Sequence, residues 1–356
     1  MNLQTVFQSE PQYKSFLFDL FNNSPISWRY LPAWIAYQKA YCQNNMAEDC
    51  SFLLVKDEKP VAFCPLFIED HHGSHFFSYG LSYQAAPFIS KKVSKKVSKK
   101  IEKICFDQID LLAKKHGVLK SMLQLNPVDM TYSFNILVKY GYLDSSIQTA
   151  VVDLNIDIET LWSELRKSFK SLINNGRKKF NIIIIDKQNP DYDVHERYRQ
   201  LHHKTAGRIT RSQLTFDLQF QAIKNDNAML IGLQDGEQYV AFSYFLHDKK
   251  AAYYGSSSDD PEFESAIPLE HCIIWKAIEY YKERGLEFLE IGVQQFGPQI
   301  FDHPSQKDIT ISFFKRGFGV KILPFYRGIK YFDKEFMQRD LMSNVEKTVK
   351  DQNHKT

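Results

Sequence analysis

The sequence predicts an α/β protein made of two halves with the same topology, each a mixed, mostly antiparallel sheet flanked by helices. Three observations lead there. Short strand-like runs of apolar and aromatic residues alternate with longer segments of helical periodicity. The same order of elements occurs twice, with matched landmarks 179 (Val61 to Val240), 175 (Gly80 to Gly255), 168 (Gly117 to Gly285) and 176 (Gly141 to Gly317) residues apart. The chain has 356 residues, 44% of them hydrophobic and 14% aromatic. That is a prior of about two domains, with enough apolar material for a core in each.

Residues 1–43 show helical patterns, with Trp28, Trp34 and Tyr37 as core aromatics. Residues 51–69 then read as a hairpin turning at Asp57–Lys59, and 228–246 as its counterpart turning at Asp235-Gly236. The second strands contain Val61-Ala62-Phe63 and Val240-Ala241-Phe242. An aromatic strand ending in Tyr-Gly follows each hairpin, at 75–80 and 251–255, and an irregular polar stretch comes next. The helices Ser94–Lys115 and Pro268–Arg284 stop at Gly117 and Gly285, just past a basic last turn. Each feeds a short apolar strand, 119–125 and 286–292, and each half closes on a short helix ending in glycine plus an aromatic, at 135–142 and 311–318. Between the halves, Leu161, Leu165, Phe169, Leu172 and Ile173 form the apolar stripe of one helix that Asn175-Gly176 stops. A strand at 181–186 and a helix around His195–Lys204 follow. From Gln338 onward the polar residues read as a frayed helix or tail.

Composition narrows function by exclusion. Lys and Arg number 45 and Asp and Glu 42, a net charge of +3. This argues against a wholly electrostatic nucleic-acid binder. Five cysteines without a C-x-x-C predict buried reduced thiols and neither a disulfide framework nor a structural zinc site. The segment His71-His72-Gly73-Ser74-His75 sits in a hairpin turn, which spoils helical ligand spacing, so no metal is expected. No run of 18 apolar residues exists, and the start MNLQTVFQSEPQ has no basic region or long apolar run. A cytoplasmic protein, with or without contact at the inner membrane face, is the expectation. Neither a G-x-S-x-G elbow nor a phosphate-binding glycine loop is present, which removes serine hydrolases, P-loop NTPases and dinucleotide oxidoreductases.

The order of elements resembles the GNAT acyltransferase fold present twice, and the closing SFFKRGFG (312–319) is similar to the Phe-Lys-x-x-Phe-Gly ending of the FemAB-like family. YYGSSS (253–258), the Pro268-Leu269 helix with Trp275 and Gly285, FLEIG (288–292) and the helix at 161–179 match as well, so the resemblance spans roughly 25–335. It implies two GNAT-like domains in tandem: 1–155, then a catalytic 156–319, with 320–335 returning to the first and 336–356 as a polar tail. It also implies transfer of an activated acyl group to an amine. Family members take the group from aminoacyl-tRNA, and relatives use acyl-CoA. Acceptors are peptidoglycan stems or surface-polysaccharide amino sugars. Two departures stand out. The coiled-coil insertion of some members is missing, and so is the [R/Q]-x-x-G-x-[G/A] loop that cradles the CoA pyrophosphate.

Acyl transfer to an amine needs a proton acceptor, oxyanion stabilisation and alignment of both substrates. Lys315, in the family ending, is the first candidate, and a helix-terminal lysine that complements the dipole is the plain alternative. Glu290 shares a strand face with Phe288 and Gly292, and serves either as proton acceptor or in a structural ion pair. Glu270 and His271 are weaker candidates at a helix start. Arg208 and Arg211, with His203 and Lys204 beside them, suit an anionic substrate or a solvated basic loop. Tyr254 borders the expected cleft as a hydrogen-bond donor or as core. Two basic segments hide inside the small net charge: 90–103, with seven lysines and one glutamate (+6), and 164–179, with six cations and one glutamate (+5). The second fits a tRNA acceptor stem or a nucleotide-linked sugar. The sequence therefore points to an N-acyltransferase with no tightly bound cofactor. Its co-substrate would be acyl-CoA or aminoacyl-tRNA and its acceptor an envelope precursor. The alternative is a catalytically silent scaffold that binds RNA or membrane.

Overall fold

The computed structural model describes residues 3–129 and 132–353; the last three residues of the expected tail, and Met1 and Asn2, lie outside them. The first half runs β1 (Leu3–Phe7), α1 (Tyr13–Asn23), a 3-10 turn (Trp28–Tyr30), α2 (Pro32–Tyr41), β2 (Met46–Asp49), β3 (Phe52–Lys56), β4 (Lys59–Cys64), β5 (Phe67–His71), β6 (Ser74–Phe77), β7 (Gln84–Ala85), β8 (Phe88–Ile89), α3 (Lys95–Lys115), β9 (Val118–Gln124), a 3-10 helix (Ile136–Tyr140) and β10 (Leu143–Asp144). Then come β11 (Ile147–Asp153), α4 (Ile158–Glu164), α5 (Lys167–Lys179), β12 (Asn181–Ile185), α6 (Tyr192–Ala206), α7 (Gln213–Lys224), β13 (Ala228–Asp235), β14 (Gln238–His247), β15 (Ala251–Asp259), α8 (Glu270–Glu283), β16 (Phe288–Gln294), α9 (Gln306–Lys315), β17 (Lys321–Phe325), β18 (Arg327–Tyr331) and α10 (Lys334–Asn353).

The expected repeat is present. In the second half the order is β12-β13-β14-β15-β16-β11-β17. In the first half the equivalent sheet is split, because β4 and β5 correspond to one strand broken around Pro65. One piece is β1-β3-β4-β8 and the other β10-β18-β9-β6-β5-β2. Both halves place parallel pairing inside otherwise mostly antiparallel sheets, β6 and β7 each with β9 in the first and β15 with β16 in the second. Gly117, Gly141 and Gly285 end their helical segments with φ of +62°, +82° and +74°.

Sheet membership cuts across the chain division at 155/156. Strand β11 leaves the first half and lies between β16 and β17, whereas β18 leaves the second half and lies between β9 and β10. Each half thus holds a strand of the other. Of the segment 320–335, only β18 enters the first-half sheet; β17 stays paired with β11.

Four local expectations are corrected. The helix of 161–179 is two helices broken at Leu165, whose ψ of 142° is extended; the break lets the Arg166 N–H donate to the Gly317 carbonyl at 2.8 Å. Gly176 does not stop the second of these helices: it packs on Cys272, where a Cβ would come within 3.0 Å of that side chain, and the helix continues to Lys179. The strand expected to end at Gly255 runs to Asp259, with an irregularity that leaves Gly255 out of register against β14. Of the frayed helix or tail expected from Gln338 onward, a helix forms, but it begins earlier, at Lys334, as the 20-residue α10, anchored by Phe336 on Phe76 and by Tyr331 Oη donating to Asp340 at 2.6 Å.

Two apolar layers enclose the second-half sheet. On one face α8 is buried through Cys272, Ile273, Trp275, Ile278 and Tyr281. On the other, α6 and α7 pack with Trp28 from the first half. In the first half, α3 buries Ile101, Cys105, Ile109 and Leu112 at helical spacing. The five cysteines are buried, free thiols.

Candidate functional site

Strands β15 and β16 pair in parallel only from Ala251↔Phe288 to Tyr253↔Glu290 and then part. Lys315, the last residue of α9, reaches into this opening. Its Nζ lies 6.0 Å from the centroid of the Tyr254 ring on β15 and close above Gly292 on β16, where a Cβ would stand 2.8 Å from it. Gly292 has φ +99°, which an L side chain rarely adopts, so this glycine both permits the backbone and clears room for the amine. Burial lowers the Lys315 pKa to about 8, against the opposing pull of Glu290. The amine therefore remains mostly an ammonium at neutral pH, but its free-base fraction, about a tenth at pH 7, is far larger than that of a surface lysine.

Glu290 is almost fully buried and both of its oxygens are engaged. Arg29 Nη2 donates to one at 2.7 Å, and Thr149 Oγ1 to the other at 3.0 Å. Arg29 comes from the 3-10 turn of the first half and stacks on Trp28, 4.3 Å from the ring centroid. The ion pair therefore ties the two halves together directly beneath Lys315.

On the α8 side of β15, the Tyr254 hydroxyl donates to Glu270 at 2.8 Å and Ser243 Oγ donates to the same carboxyl at 3.0 Å. Burial, reinforced by neighbouring Asp259, pushes the Glu270 pKa well up, and burial does the same to Asp259.

The other face of β15 borders a cleft of about 300 Å³ between the halves. The first half contributes Trp34, Tyr37 and Tyr41 from α2 and Tyr79 from the loop after β6; the second contributes Arg211, Tyr253 and Ser256. Trp34 stacks on Tyr37 at 5.1 Å and Tyr37 on Tyr41 at 6.2 Å, as spacing along one helix face allows. The Arg211 guanidinium donates to the hydroxyls of Tyr37 and Tyr198, and no carboxylate pairs with it among the described residues. Burial, with Arg211 adding to it, lowers the pKa of His195 and His202 to about 4, so both are neutral. Arg211 is left as the charged group of a largely aromatic cleft.

Lys315, Glu290 and Tyr254 are thus brought together by the fold, and Arg211 stands on the far face of β15. Arg208 is exposed and does not line the cleft. His203 instead supports the turn, its Nδ1 accepting from the Thr210 N–H at 3.4 Å. Trp34 and Tyr37, expected as core, form the cleft wall. Sequence reasoning also missed Tyr41, Tyr79, Asp259 and Arg29; only the aromatic spacing 34, 37, 41 on one helix signalled any of them. One group with metal-ligand chemistry exists among the described residues, Glu48, Cys50 and His116. Its His116 Nδ1 and Glu48 pair at 2.9 Å, while burial pushes the Cys50 thiol up to about 12.

At the level of sequence, no family model and no curated protein matches this chain. Its fold matches several solved structures. FemX superposes with a TM-score of 0.63 at 10% identity, over 94% of this chain and 99% of its own. The C-terminal domain of a putative lysylphosphatidylglycerol synthetase from Agrobacterium fabrum gives 0.57 at 13%, over 86% and 95%. A tandem GNAT protein from the clavulanic acid biosynthesis pathway gives 0.50 at 8%, over 94% and 99%. The tandem GNAT fold expected from the sequence is the fold of this chain.

Proposed function

We propose that the protein is an N-acyltransferase whose second half, 156–319, carries the reaction and whose first half shapes the acceptor cleft. One observation carries the reading: a lysine amine with a pKa near 8 stands between the parted strands of a GNAT-type sheet, across β15 from a cleft that can hold a second substrate. In the reaction, Lys315 Nζ takes a proton from the acceptor ammonium. The freed amine attacks the acyl carbonyl, and the resulting ammonium on Lys315 stabilises the oxyanion. Collapse breaks the bond to the leaving oxygen or sulfur, which takes the proton held on Lys315, and the new amide nitrogen releases its remaining extra proton to solvent. Glu290, held by Arg29, is a positioning residue that sets the charge balance at Lys315.

Several features support an aminoacyl ester over acyl-CoA as donor. The glycine loop for a pyrophosphate is missing, and the first turn of α8 presents the Glu270 carboxyl where such a phosphate would need donors. The likeness to FemX and to a lysylphosphatidylglycerol synthetase points the same way. The acceptor is an amine-bearing envelope precursor, a peptide stem or an amino sugar. Its rings would lie against Trp34, Tyr37 and Tyr41 and its anionic group on Arg211.

Melting shifts test the donor and acceptor classes together. A ligand at about 100 times its dissociation constant stabilises the folded state by about 2.7 kcal/mol. A shift with aminoacyl-tRNA and with a nucleotide-linked amino sugar, and none with CoA, is expected; a shift with acyl-CoA alone would overturn the donor assignment. Arg211→Met should remove the nucleotide-sugar shift and leave the tRNA shift in place.

A further inference from the structure

The proposed acyl transfer makes no use of the N-terminal part of α3 or of the segment that packs against it. Lys91 pairs with Asp129 at 2.8 Å and Lys103 with Asp107 at 2.6 Å. Lys92, Lys95, Lys96, Lys99 and Lys100 are exposed and have no carboxylate partner among the described residues. Val93 and Val97 pack with buried Ile101 onto the first-half core, so the lysines are forced outward along the remaining faces.

The segment 132–140 runs along one side of this helix. Tyr140 stacks on Phe106 with centroids 3.9 Å apart, and its hydroxyl donates to Glu102 at 2.6 Å. Lys99 and Lys95 lie one and two turns before Glu102 on that same side. The segment itself presents Phe134, 47% exposed, and Val138, 45% exposed, with Lys139 Nζ 4.8 Å from the Phe134 ring centroid. Unpaired Lys95 and Lys99 therefore share a side of α3 with the segment that carries two protruding apolar side chains.

We propose that the N-terminal half of α3 together with 132–140 is a docking surface for an anionic phospholipid bilayer. The lysines meet the headgroups, and Phe134 and Val138 enter the headgroup–acyl boundary. A nucleic acid fits less well. Base stacking needs an open ring face, but Lys139 lies over the Phe134 ring and Val138 has no ring to offer. A bilayer accepts both side chains, with Lys139 lying back toward the phosphates. This docking would hold the cleft at the surface where a membrane-borne acceptor is made. The surface itself is argued independently of the acyl-transfer reading.

Sedimentation with vesicles decides the matter without turnover, so its failure leaves that reading standing. The protein should bind phosphatidylcholine vesicles containing phosphatidylglycerol and not pure phosphatidylcholine. Raising salt from about 0.1 M to about 1 M, which shortens the screening length from about 10 Å to about 3 Å, should release it. Each lysine near the surface is worth about fivefold in partitioning. The quadruple variant Lys95→Ala, Lys96→Ala, Lys99→Ala, Lys100→Ala should therefore lose at least about a hundredfold, and Phe134→Ser should lose binding at unchanged salt dependence. Lys114→Ala with Lys115→Ala, at the other end of the helix, should change little. Unaltered melting curves would establish that these surface variants fold. Equal binding to both vesicle types, or no binding at low salt, overturns the proposal. Tight tRNA binding that the quadruple variant abolishes, without vesicle binding, assigns the surface to nucleic acid and overturns it equally.

Discussion

Lys315 draws its chemistry from where its amine stands. A lysine at a helix end on the surface is a cation at neutral pH; here burial between Tyr254 and Gly292 brings the pKa to about 8. If the free amine accepts the proton, the rate should rise with pH and level off above about 8, and Lys315→Ala should abolish turnover. Lys315→Arg should not restore it, because a guanidinium stays protonated. Wild-type turnover in Lys315→Ala would remove this residue from the reaction. The depressed pKa also affects stability. Between about 8 and the unfolded value near 10.4 the unfolded chain binds more protons, so Lys315 adds stability as pH rises through that window. Glu270 acts in the opposite sense. Its folded pKa is raised, so its contribution is full at low pH and falls as pH climbs above the unfolded value near 4.3. Glu270→Gln should remove that decline, and denaturant titrations across pH would register it.

At the scale of elements, two contacts hold the site in register. The buried Arg29–Glu290 pair joins the 3-10 turn of the first half to β16 of the second. Removing one partner leaves a charge stranded in a dry environment. Arg29→Met or Glu290→Met alone should therefore cost about 3–5 kcal/mol, and the double variant markedly less than the sum. Additive losses in a double-mutant cycle would show that the pair is not coupled. The second contact sets the end of α9. A Cβ at Gly317 would stand 2.2 Å from the Phe169 ring, so the glycine of the FFKRGFG ending is required by the packing of α5. Gly317→Ala should cost about 1–3 kcal/mol and shift Lys315, so loss of activity should exceed loss of fold. The helix at 161–179 was readable as apolar periodicity, but its break at Leu165 was not, because that break serves a hydrogen bond to Gly317, far along the chain.

For the whole molecule, the exchange of β11 and β18 makes the two halves one folding unit. Either half expressed alone lacks an interior strand and leaves the neighbours, β16 and β17 or β9 and β10, without their ladder partners. Residues 1–155 alone should therefore be insoluble or unfolded, and the full chain should melt in one transition with equal calorimetric and van't Hoff enthalpies. Two separable transitions would contradict this. The repeat itself was legible, since each half writes hairpin, aromatic strand, helix and strand in the same order. The crossing of strands was not: only Ser145 and Ser146 separate β10 from β11, yet the two strands lie in different sheets.

The sequence alone determined the local elements and their repetition. Those follow from apolar periodicity, glycine at helix ends and turn residues, all properties of near neighbours. It also placed Lys315, Glu290 and Arg211 among the candidates: Lys315 through the FFKRGFG ending, Glu290 as a carboxylate in an apolar strand, and Arg211 as one of two arginines three apart in a basic segment. Only the tertiary structure decided what each of them does. Glu290 proved to be engaged by Arg29, 261 positions away, Arg211 entered the cleft on two tyrosine hydroxyls and Arg208 stayed outside. Tyr37 is buried and Trp34 packs against the core as expected, and both also form the cleft wall. Burial and partnership set charge, pKa and exposure, and both arise from contacts between segments whose separation along the chain holds no local signal.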